Sequence, residues 1–150
     1  MELARLAERD DRAACARLLD LALESARTMR GGPALIGRES TESLLERWGG
    51  PQASLFVGEY EGALVGLLGV SLGEPAAGRL PALIECCYVE PEARGVGVGS
   101  SLMEAAVAWS GVHGCTDVDA LALPGDRPTK QRLEAAGFTA RLLTLSRRLG

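Results

Sequence analysis

One stretch decides the fold: Val89-Glu90-Pro91-Glu92-Ala93-Arg94-Gly95-Val96-Gly97-Val98-Gly99-Ser100. An apolar extended run ends where this stretch starts, three glycines then alternate, and a helical pattern begins at once. Glycines without Cβ atoms let successive backbone N–H groups turn toward one anion, and the start of a helix adds unpaired N–H groups and a positive dipole end. The pattern predicts a pyrophosphate site built mostly from backbone, and the competing interpretation is a glycine-rich turn that only makes a tight corner.

Two common nucleotide-binding loops, the Rossmann loop and the Walker A loop, do not fit this stretch in full. A Rossmann loop requires G-x-G-x-x-G and an acidic residue about 20 positions later. Gly95 and Gly97 satisfy the first two positions, but Ser100 stands at the third. A Rossmann loop also follows its first strand directly, whereas Pro91 and Arg94 intervene here. A Walker A loop is excluded because no Gly-Lys-Ser/Thr follows.

The segments on either side of the loop alternate between strand and helix patterns. Predicted strands cover Glu2–Arg9, Ser54–Tyr60, Ala63–Leu72, Leu80–Val89, Asp117–Leu123 and Phe138–Arg148, and predicted helices cover Ala13–Arg27, Ser40–Trp48, Ser100–Trp109 and Pro128–Ala136. The order β-α-α-β-β-β-α-β-α-β, without repeat or linker, predicts one α/β domain of the mixed α+β kind over residues 1–150. Its sheet is expected to be mixed, mostly antiparallel, and flanked by about four helices.

Composition excludes several functional classes. The chain has 150 residues, 47% of them hydrophobic, and a formal net charge of −4. That hydrophobic fraction is too high for a disordered chain, and the acidic balance argues against a nucleic-acid partner. The apolar runs are too short to span a membrane and the N-terminus lacks a signal-peptide pattern, so we expect a cytoplasmic protein.

Cysteine and histidine usage predicts no metal site. The four cysteines form no C-x-x-C pair and no zinc spacing, so we interpret them as reduced core residues: Cys15, Cys86, Cys87 and Cys115. The single histidine, His113, is interpreted as a loop residue. A triad or a multi-histidine centre would have to rest on His113 alone.

The segment Val89–Gly99 closely resembles the acetyl-CoA-binding motif of the Gcn5-related N-acetyltransferases, the GNAT family, which reads V-x-P-x-x-R/Q-G-x-G-x-G/A. This sequence matches every diagnostic position. The length and the predicted element order also agree, so the resemblance covers nearly the whole chain. It implies a GNAT fold and the use of acetyl-CoA as co-substrate.

The resemblance also implies which residues hold the cofactor. The pantetheine arm would pair with the backbone of Cys87 and Val89 in the manner of an added strand, inside a gap where this strand is splayed from Asp117–Leu123. The N–H near Val89 would face the thioester carbonyl. The pyrophosphate would be held by the backbone amides of Arg94, Gly95, Val96, Gly97, Val98, Gly99 and Ser100.

Glu85 is the candidate catalytic residue. It stands four residues before Val89, which on a regular strand places it on the same face as Cys87 and Val89. Several small-molecule acetyltransferases of this family, including polyamine and aminoglycoside types, carry a glutamate at this offset, where it is proposed to bind the amine or to remove its proton. Burial would raise the pKa of Glu85 and improve it as a base. The alternative is a structural carboxylate.

The second family motif, N-x-x-A-x-x-x-Y-x-x-x-G-F, departs from its pattern here. Gly137-Phe138 is kept, but Asp126 stands at the Asn, Thr129 at the Ala and Leu133 at the Tyr. Since the Tyr often protonates the leaving thiolate, water would have to finish that step, or Tyr88, Tyr60 or a cysteine would replace it. Asp126 is expected to hydrogen-bond the pantetheine arm or to cap the last helix.

The sequence therefore predicts an acetyl-CoA-dependent N-acetyltransferase acting on the primary amine of a small molecule by direct attack. The alternatives are a non-catalytic acyl-CoA-binding or sensing module, motivated by Leu133, and more distantly a Rossmann-type oxidoreductase. A homodimer is possible. Acceptor recognition would come from segment 27–48, where ordinary surface charge is the competing interpretation of five residues: Arg27, Arg30, Arg38, Glu39 and Glu42.

Overall fold

The computed structural model describes residues 2–32 and 39–150. Within those residues the strands and helices are, in chain order, β1 (Glu2–Leu6), α1 (Arg12–Arg27), α2 (Thr41–Trp48), β2 (Ala53–Tyr60), β3 (Ala63–Leu72), β4 (Pro81–Val89), α3 (Val98–Val112), β5 (Asp117–Ala120) and α4 (Arg127–Ala135). The mixed α/β architecture is confirmed, and the order agrees with the sequence prediction up to α4. None of the described helices is long and apolar enough to cross a membrane.

The sheet runs in the order β1-β2-β3-β4-β5. Neighbouring strands from β1 to β4 are antiparallel, and β5 lies parallel to β4. A parallel pair needs a crossover connection, and here α3 supplies it. This crossover places the N-terminus of α3 beside the carboxyl end of β4, which is where ligands bind in open α/β sheets.

Each face of the sheet carries its own core. The helix α3 packs on one face, where it buries Leu102, Met103 and Ala106. The helices α1 and α2 pack on the other face and bury residues such as Leu19 and Trp48. Each fully buried leucine contributes about 1.5–3 kcal/mol of transfer free energy. The carboxyl half of β4 lies between these two layers.

Glycines inside the sheet let helices approach it closely. A Cβ at Gly58 would lie 2.4 Å from a methyl of Val98, and one at Gly69 would lie 2.4–2.6 Å from the indole of Trp48. Neither glycine is in a turn, so some of the chain's 19 glycines serve packing between layers. Trp48 is 1% exposed, and its position depends on the absence of a side chain at Gly69.

We expect Gly69→Ala to destabilise the protein by about 1–3 kcal/mol, because the added methyl overlaps a buried ring that cannot move without disturbing the core. Thermal or denaturant unfolding measures the loss. The matched control is Gly111→Ala in α3, where a Cβ meets nothing within 4 Å. That change should stabilise the helix slightly, and equal effects of the two substitutions would contradict the packing argument.

The predicted last strand, Phe138–Arg148, is wrong. Phe138 donates its N–H to the Leu133 carbonyl at 3.0 Å, but residues 139–150 form no strand. Four leucines of this tail are 79–90% exposed: Leu142, Leu143, Leu145 and Leu149. Its apolar content fits a strand, but a strand needs a partner, and the adjacent edge strand β5 has only four residues. The tail meets β5 through an ion pair between Arg141 and Asp119 at 3.3 Å.

One further prediction needs correction. The strand predicted over Asp117–Leu123 ends at Ala120, because its ladder with β4 stops at the Ile84–Ala120 pair.

Asp11 stands at the N-cap position of α1, but its side chain forms no capping hydrogen bond there. Its carboxylate instead pairs with Arg5 and accepts the Glu8 N–H, and the hydrogen bonds from Arg5 and Glu8 lower the pKa of Asp11.

Candidate active site

The sheet opens into a gap at the carboxyl half of β4. The parallel ladder joins Pro81–Ile84 of β4 to Asp117–Ala120 of β5 and goes no further. From Glu85 to Val89, β4 therefore has β3 on one side and, among residues 2–32 and 39–150, no strand on the other. An unpaired strand edge presents N–H and C=O groups that can pair with an extended ligand.

Val89 and Cys87 present their backbone groups to this gap. The N–H of Glu90 donates to the Val65 carbonyl of β3 at 2.8 Å. Because backbone groups alternate in direction along a strand, Val89 and Cys87 point to the opposite edge. The Val89 carbonyl already accepts a hydrogen bond from Nε of Arg94 at 2.9 Å, which ties the following loop to the strand end.

The loop after β4 presents a row of backbone donors. Gly95 and Gly97 have φ values of +86° and +96°, which side chains rarely tolerate. Gly97 is the N-cap of α3 and offers no side-chain cap. Within the described residues the amides of 95–100 have no acceptor, and the first helical bond runs from Ser101 to the Gly97 carbonyl. Arg94 does not belong to this row, because its amide donates to the Pro91 carbonyl at 3.3 Å.

Gly99 serves a purpose that the sequence did not reveal. A Cβ there would lie 2.5–3.1 Å from the side chain of Arg132 on α4. Arg132 therefore lies against the first turn of α3, and its Nη1 reaches Sγ of Cys87 at 3.9 Å. Burial raises the pKa of the Cys87 thiol, and the nearby charge of Arg132 offsets this only in part. Cys87 is therefore a neutral thiol on the α3 side of β4.

The predicted face of Glu85 is wrong. The ladder between β3 and β4 pairs Gly69 with Cys86 and Val70 with Ile84, which leaves Glu85 as the extra residue of a β-bulge. A bulge turns the following side chains to the other face. Ile84 and Cys87 consequently both face α3, whereas Glu85 lies on the α2 side. The two predicted functions thus lie on opposite faces of one strand, connected through the gap.

Arg47 and Trp48 of α2 hold Glu85 in place. Arg47 donates to both carboxylate oxygens of Glu85, at 2.6 and 2.7 Å, and the indole N–H of Trp48 donates at 3.0 Å. Burial tends to raise the pKa of Glu85, but hydrogen bonds from Arg47, Ser71 and Trp48 and the charge of Arg47 outweigh it and lower the pKa. The expectation of a raised pKa is therefore wrong, and Glu85 is ionised at neutral pH.

Glu39 completes this cluster. It accepts from Nε and Nη2 of Arg47 at 3.1 and 2.8 Å, and these hydrogen bonds lower the pKa of Glu39. With both carboxylates ionised, the cluster of Glu39, Arg47 and Glu85 has a net charge of −1. Its members become more buried from Glu39 to Glu85, whose side chains are 39% and 17% exposed. An ammonium group approaching from α2 therefore meets Glu39 first.

The other candidate acceptor residues differ in their surroundings. Arg27 pairs with Glu24 and Glu42 pairs with Arg12, both exposed contacts of the kind that contributes little. Arg30 is exposed. Arg38 lies outside the described residues. Of the five candidates, Glu39 is the one that connects to Glu85.

Leu133 occupies the tyrosine position of the second motif and is 7% exposed in the α3-side core. It has no proton to give. Tyr88 lies on the other face, beside α1 and α2, with Arg94 5.7 Å from its ring centre. Asp126 caps α4 by accepting the Thr129 N–H at 3.3 Å, as one of its two predicted roles required.

Sequence reasoning missed Arg47 and Arg132. Arg47 precedes Trp48 at the end of α2, and a bidentate partner for Glu85 could not be inferred without the bulge. Arg132 gave no usable signal, because it directly precedes the position where the family motif has its tyrosine, and adjacent residues of a helix do not face the same way.

Comparison with known proteins agrees with this geometry. The model of the "Acetyltransferase (GNAT) family" matches residues 23–138, more than half of the chain. Among curated proteins, no sequence matches.

Three solved structures share the fold at low identity. A ribosomal-protein-alanine N-acetyltransferase from Brucella melitensis biovar Abortus has a TM-score of 0.72 and 19% identity, covering 99% of both chains. A predicted acetyltransferase with acetyl-CoA from Clostridium acetobutylicum has a TM-score of 0.71 and 15% identity, covering 97% of this chain and 96% of that one. An aminoglycoside 6'-N-acetyltransferase from Acinetobacter haemolyticus has a TM-score of 0.69 and 17% identity, covering 98% and 99%.

Proposed function

The chain belongs to the GNAT family of acetyltransferases, and from that premise we propose that it transfers an acetyl group from acetyl-CoA to the primary amine of a small molecule. One observation carries the proposal. In the part of the chain that the structure describes, the six backbone amides of residues 95–100 have no acceptor, and they follow a strand whose outer edge is open. The row suits a pyrophosphate, and the edge suits an extended amide-containing arm.

The residues present fit acetyl-CoA in three places. The amides of 95–100 bind the pyrophosphate, and the edge groups of Cys87 and Val89 pair with the pantetheine arm. When bound, the co-substrate supplies an activated acetyl thioester. The N–H of Val89 faces the gap and stabilises negative charge that develops on the carbonyl oxygen under attack. Asp126, already engaged as a cap, has a second carboxylate oxygen with which to reach the arm.

Glu85 is the proposed catalytic residue on the acceptor side. As an ionised carboxylate at the start of the gap, it attracts the ammonium form of the acceptor. The acceptor replaces part of the Arg47 contact and transfers a proton to Glu85, directly or through water. The free amine would then attack the thioester, and the C–S bond would break to release a thiolate. As the amide forms, the attacking nitrogen would lose its remaining extra proton to water.

The thiolate needs no protein acid. Leu133 cannot provide a proton, and the pKa of the Cys87 thiol is raised, which makes it a poorer acid than usual. An ordinary thiol has a pKa of about 8.5, so water can protonate the leaving group near neutral pH. The absence of a tyrosine at position 133 is thus compatible with turnover.

A small amine is the proposed acceptor because the entry cluster of Glu39, Arg47 and Glu85 has a net charge of −1. One structural neighbour is named for an aminoglycoside and another for an alanine of a ribosomal protein, so both kinds of acceptor belong in the test. A non-catalytic acyl-CoA-binding module is the alternative, favoured by Leu133. A cytoplasmic location and a homodimer stay predictions of the sequence.

Ligand binding and thiol release test the proposal in two steps. In thermal unfolding, acetyl-CoA at about 100 times its Kd should stabilise the protein by roughly 2.7 kcal/mol, and NAD should not. Stabilisation by NAD alone would contradict the cofactor assignment. Thiol release is then followed with a polyamine, an aminoglycoside and a peptide that begins with alanine. Turnover with one of the two small amines supports the proposal, whereas tight binding without turnover on any acceptor supports the sensing module.

A further inference from the structure

Arg132 is a cation inside the proposed cofactor cleft. It lies in the last part of α4, and its guanidinium packs on the backbone of Gly99 in the first turn of α3. The same guanidinium reaches Cys87 on the open half of β4. Arg132 therefore spans the space between the row of free amides and the strand edge.

Arg132 forms no ion pair within the described residues, and its one side-chain hydrogen bond there goes to a neutral thiol sulphur, which is a weak acceptor. Asp126, on the same helix, caps α4 by accepting the Thr129 N–H. Its charge also acts on Cys87, so Asp126 offsets the charge of Arg132 only through space and without a hydrogen bond. Arg132 is partly buried, and a partly buried cation without an anion is unfavourable unless a ligand supplies the anion.

The surroundings of Arg132 increase this imbalance. The guanidinium shares its position with the N-terminus of α3, which is itself the positive end of a helix dipole. Six free amides and one cation thus converge on the same space, and Gly99 makes the approach possible. A planar guanidinium donates two parallel hydrogen bonds to phosphate oxygens.

We propose that Arg132 binds the pyrophosphate of the cofactor and is the charged side chain of a site otherwise built from backbone. This rests on the proposed use of acetyl-CoA. The guanidinium lies against Cys87, whose backbone is proposed to pair with the pantetheine arm. To bind the phosphates it would leave the thiol and turn toward the amides of 95–100.

Calorimetric titration with CoA tests this assignment in the wild type and in Arg132→Gln. The loss of a charge-assisted bidentate contact should weaken binding about 10- to 100-fold. Arg132→Lys keeps the charge but loses the two parallel donors of the guanidinium. Its affinity for CoA should therefore lie between those of the wild type and Arg132→Gln. The matched control is Lys130→Gln, which removes one exposed positive charge from the same helix and should leave affinity within about twofold, as expected of a solvent-screened surface charge.

Three further measurements make the assignment specific. Raising the salt concentration should weaken CoA binding less in Arg132→Gln than in the wild type, since one charge contact is already lost. Dephospho-CoA, which keeps the pyrophosphate and lacks the 3'-phosphate, should show the same loss as CoA. S-acetylpantetheine, which has no pyrophosphate, should serve the variant at least as well as the wild type.

Several outcomes would overturn the inference. Unchanged CoA affinity in Arg132→Gln would remove Arg132 from the site. A loss that disappears with dephospho-CoA would place its contact at the 3'-phosphate, and an equal loss with S-acetylpantetheine would mean that Arg132 acts on the arm or on the fold. Failure of the wild type to bind CoA is a different result, because it would overturn the proposed function itself.

Discussion

Gly97→Val should abolish measurable binding of acetyl-CoA while leaving a folded protein. Gly97 has a φ of +96° and begins α3. A β-branched residue with a positive φ is strained by about 1–3 kcal/mol. The backbone relieves that strain by rotating, which turns the amides of 97–100 away from the proposed pyrophosphate position. Because the proposed pyrophosphate site consists largely of those amides, a small rotation removes most of its donors at once. Equilibrium binding of acetyl-CoA measures the loss.

Gly62→Val is the matched control for strain. Gly62 also has a positive φ, +82°, and a Cβ there would meet nothing within 4 Å. It lies in the hairpin between β2 and β3, away from the cleft. Both variants should lose stability in thermal unfolding, but the Gly62 variant should keep its affinity for acetyl-CoA. Retained affinity in Gly97→Val would show that the loop does not bind through its backbone.

The sequence predicts the backbone of the loop after β4 well because that backbone depends on local rules. Alternating glycines before a helix specify the backbone of 95–100 whatever the rest of the chain does. The Glu61-Gly62 turn is equally local, and both of its residues have positive φ. Helix α2 begins after Ser40, whose side chain accepts the Ser43 N–H at 3.1 Å, as a capping residue should.

The surroundings of Glu85, on the proposed acceptor side, could not be predicted because they depend on one irregular pairing between β3 and β4. A strand that alternates regularly places Glu85 with Cys87 and Val89, and only the register between β3 and β4 reveals the bulge. Once the bulge is known, Glu85 must lie beside α2, and Arg47 becomes its partner. The prediction of a last strand from Phe138 onward is wrong for a related reason. A strand pattern in the sequence does not show whether a partner strand is free to pair with it.

Removal of the Glu85 charge should have the second large effect. Glu85→Gln keeps the shape of the side chain and its acceptor for Trp48, but it cannot attract an ammonium group or take up its proton. We expect kcat to fall about 100-fold, the range typical of a general base, with the Kd for acetyl-CoA unchanged. Unchanged turnover would remove Glu85 from the mechanism. An equal loss of cofactor affinity would assign it a structural role instead.

We expect Arg47 to determine the pH at which the proposed catalytic residue Glu85 works. The pKa of Glu85 is lowered from 4.5 in the folded protein. Turnover that depends on the ionised carboxylate is therefore complete above about 4.5 and is lost only as the pH falls through that lower pKa. In Arg47→Gln the hydrogen bonds and the opposing charge are removed, burial dominates, and the pKa of Glu85 rises. The acid limb of kcat/KM against pH should then move upward toward neutral pH.

Comparing the pH profile of Arg47→Gln with that of the wild type separates the shift in the Glu85 pKa from the acceptor's own ionisation. The acceptor ionises in the same way in both measurements. Arg12→Gln is the control. Arg12, on α1, likewise pairs with a glutamate, Glu42 of α2, but in an exposed contact. Its pH profile should match that of the wild type. If the acid limb of Arg47→Gln stays in place, Arg47 does not tune Glu85. If that limb moves up and turnover at high pH is kept, Arg47 is a positioning residue whose displacement by the acceptor prepares the base.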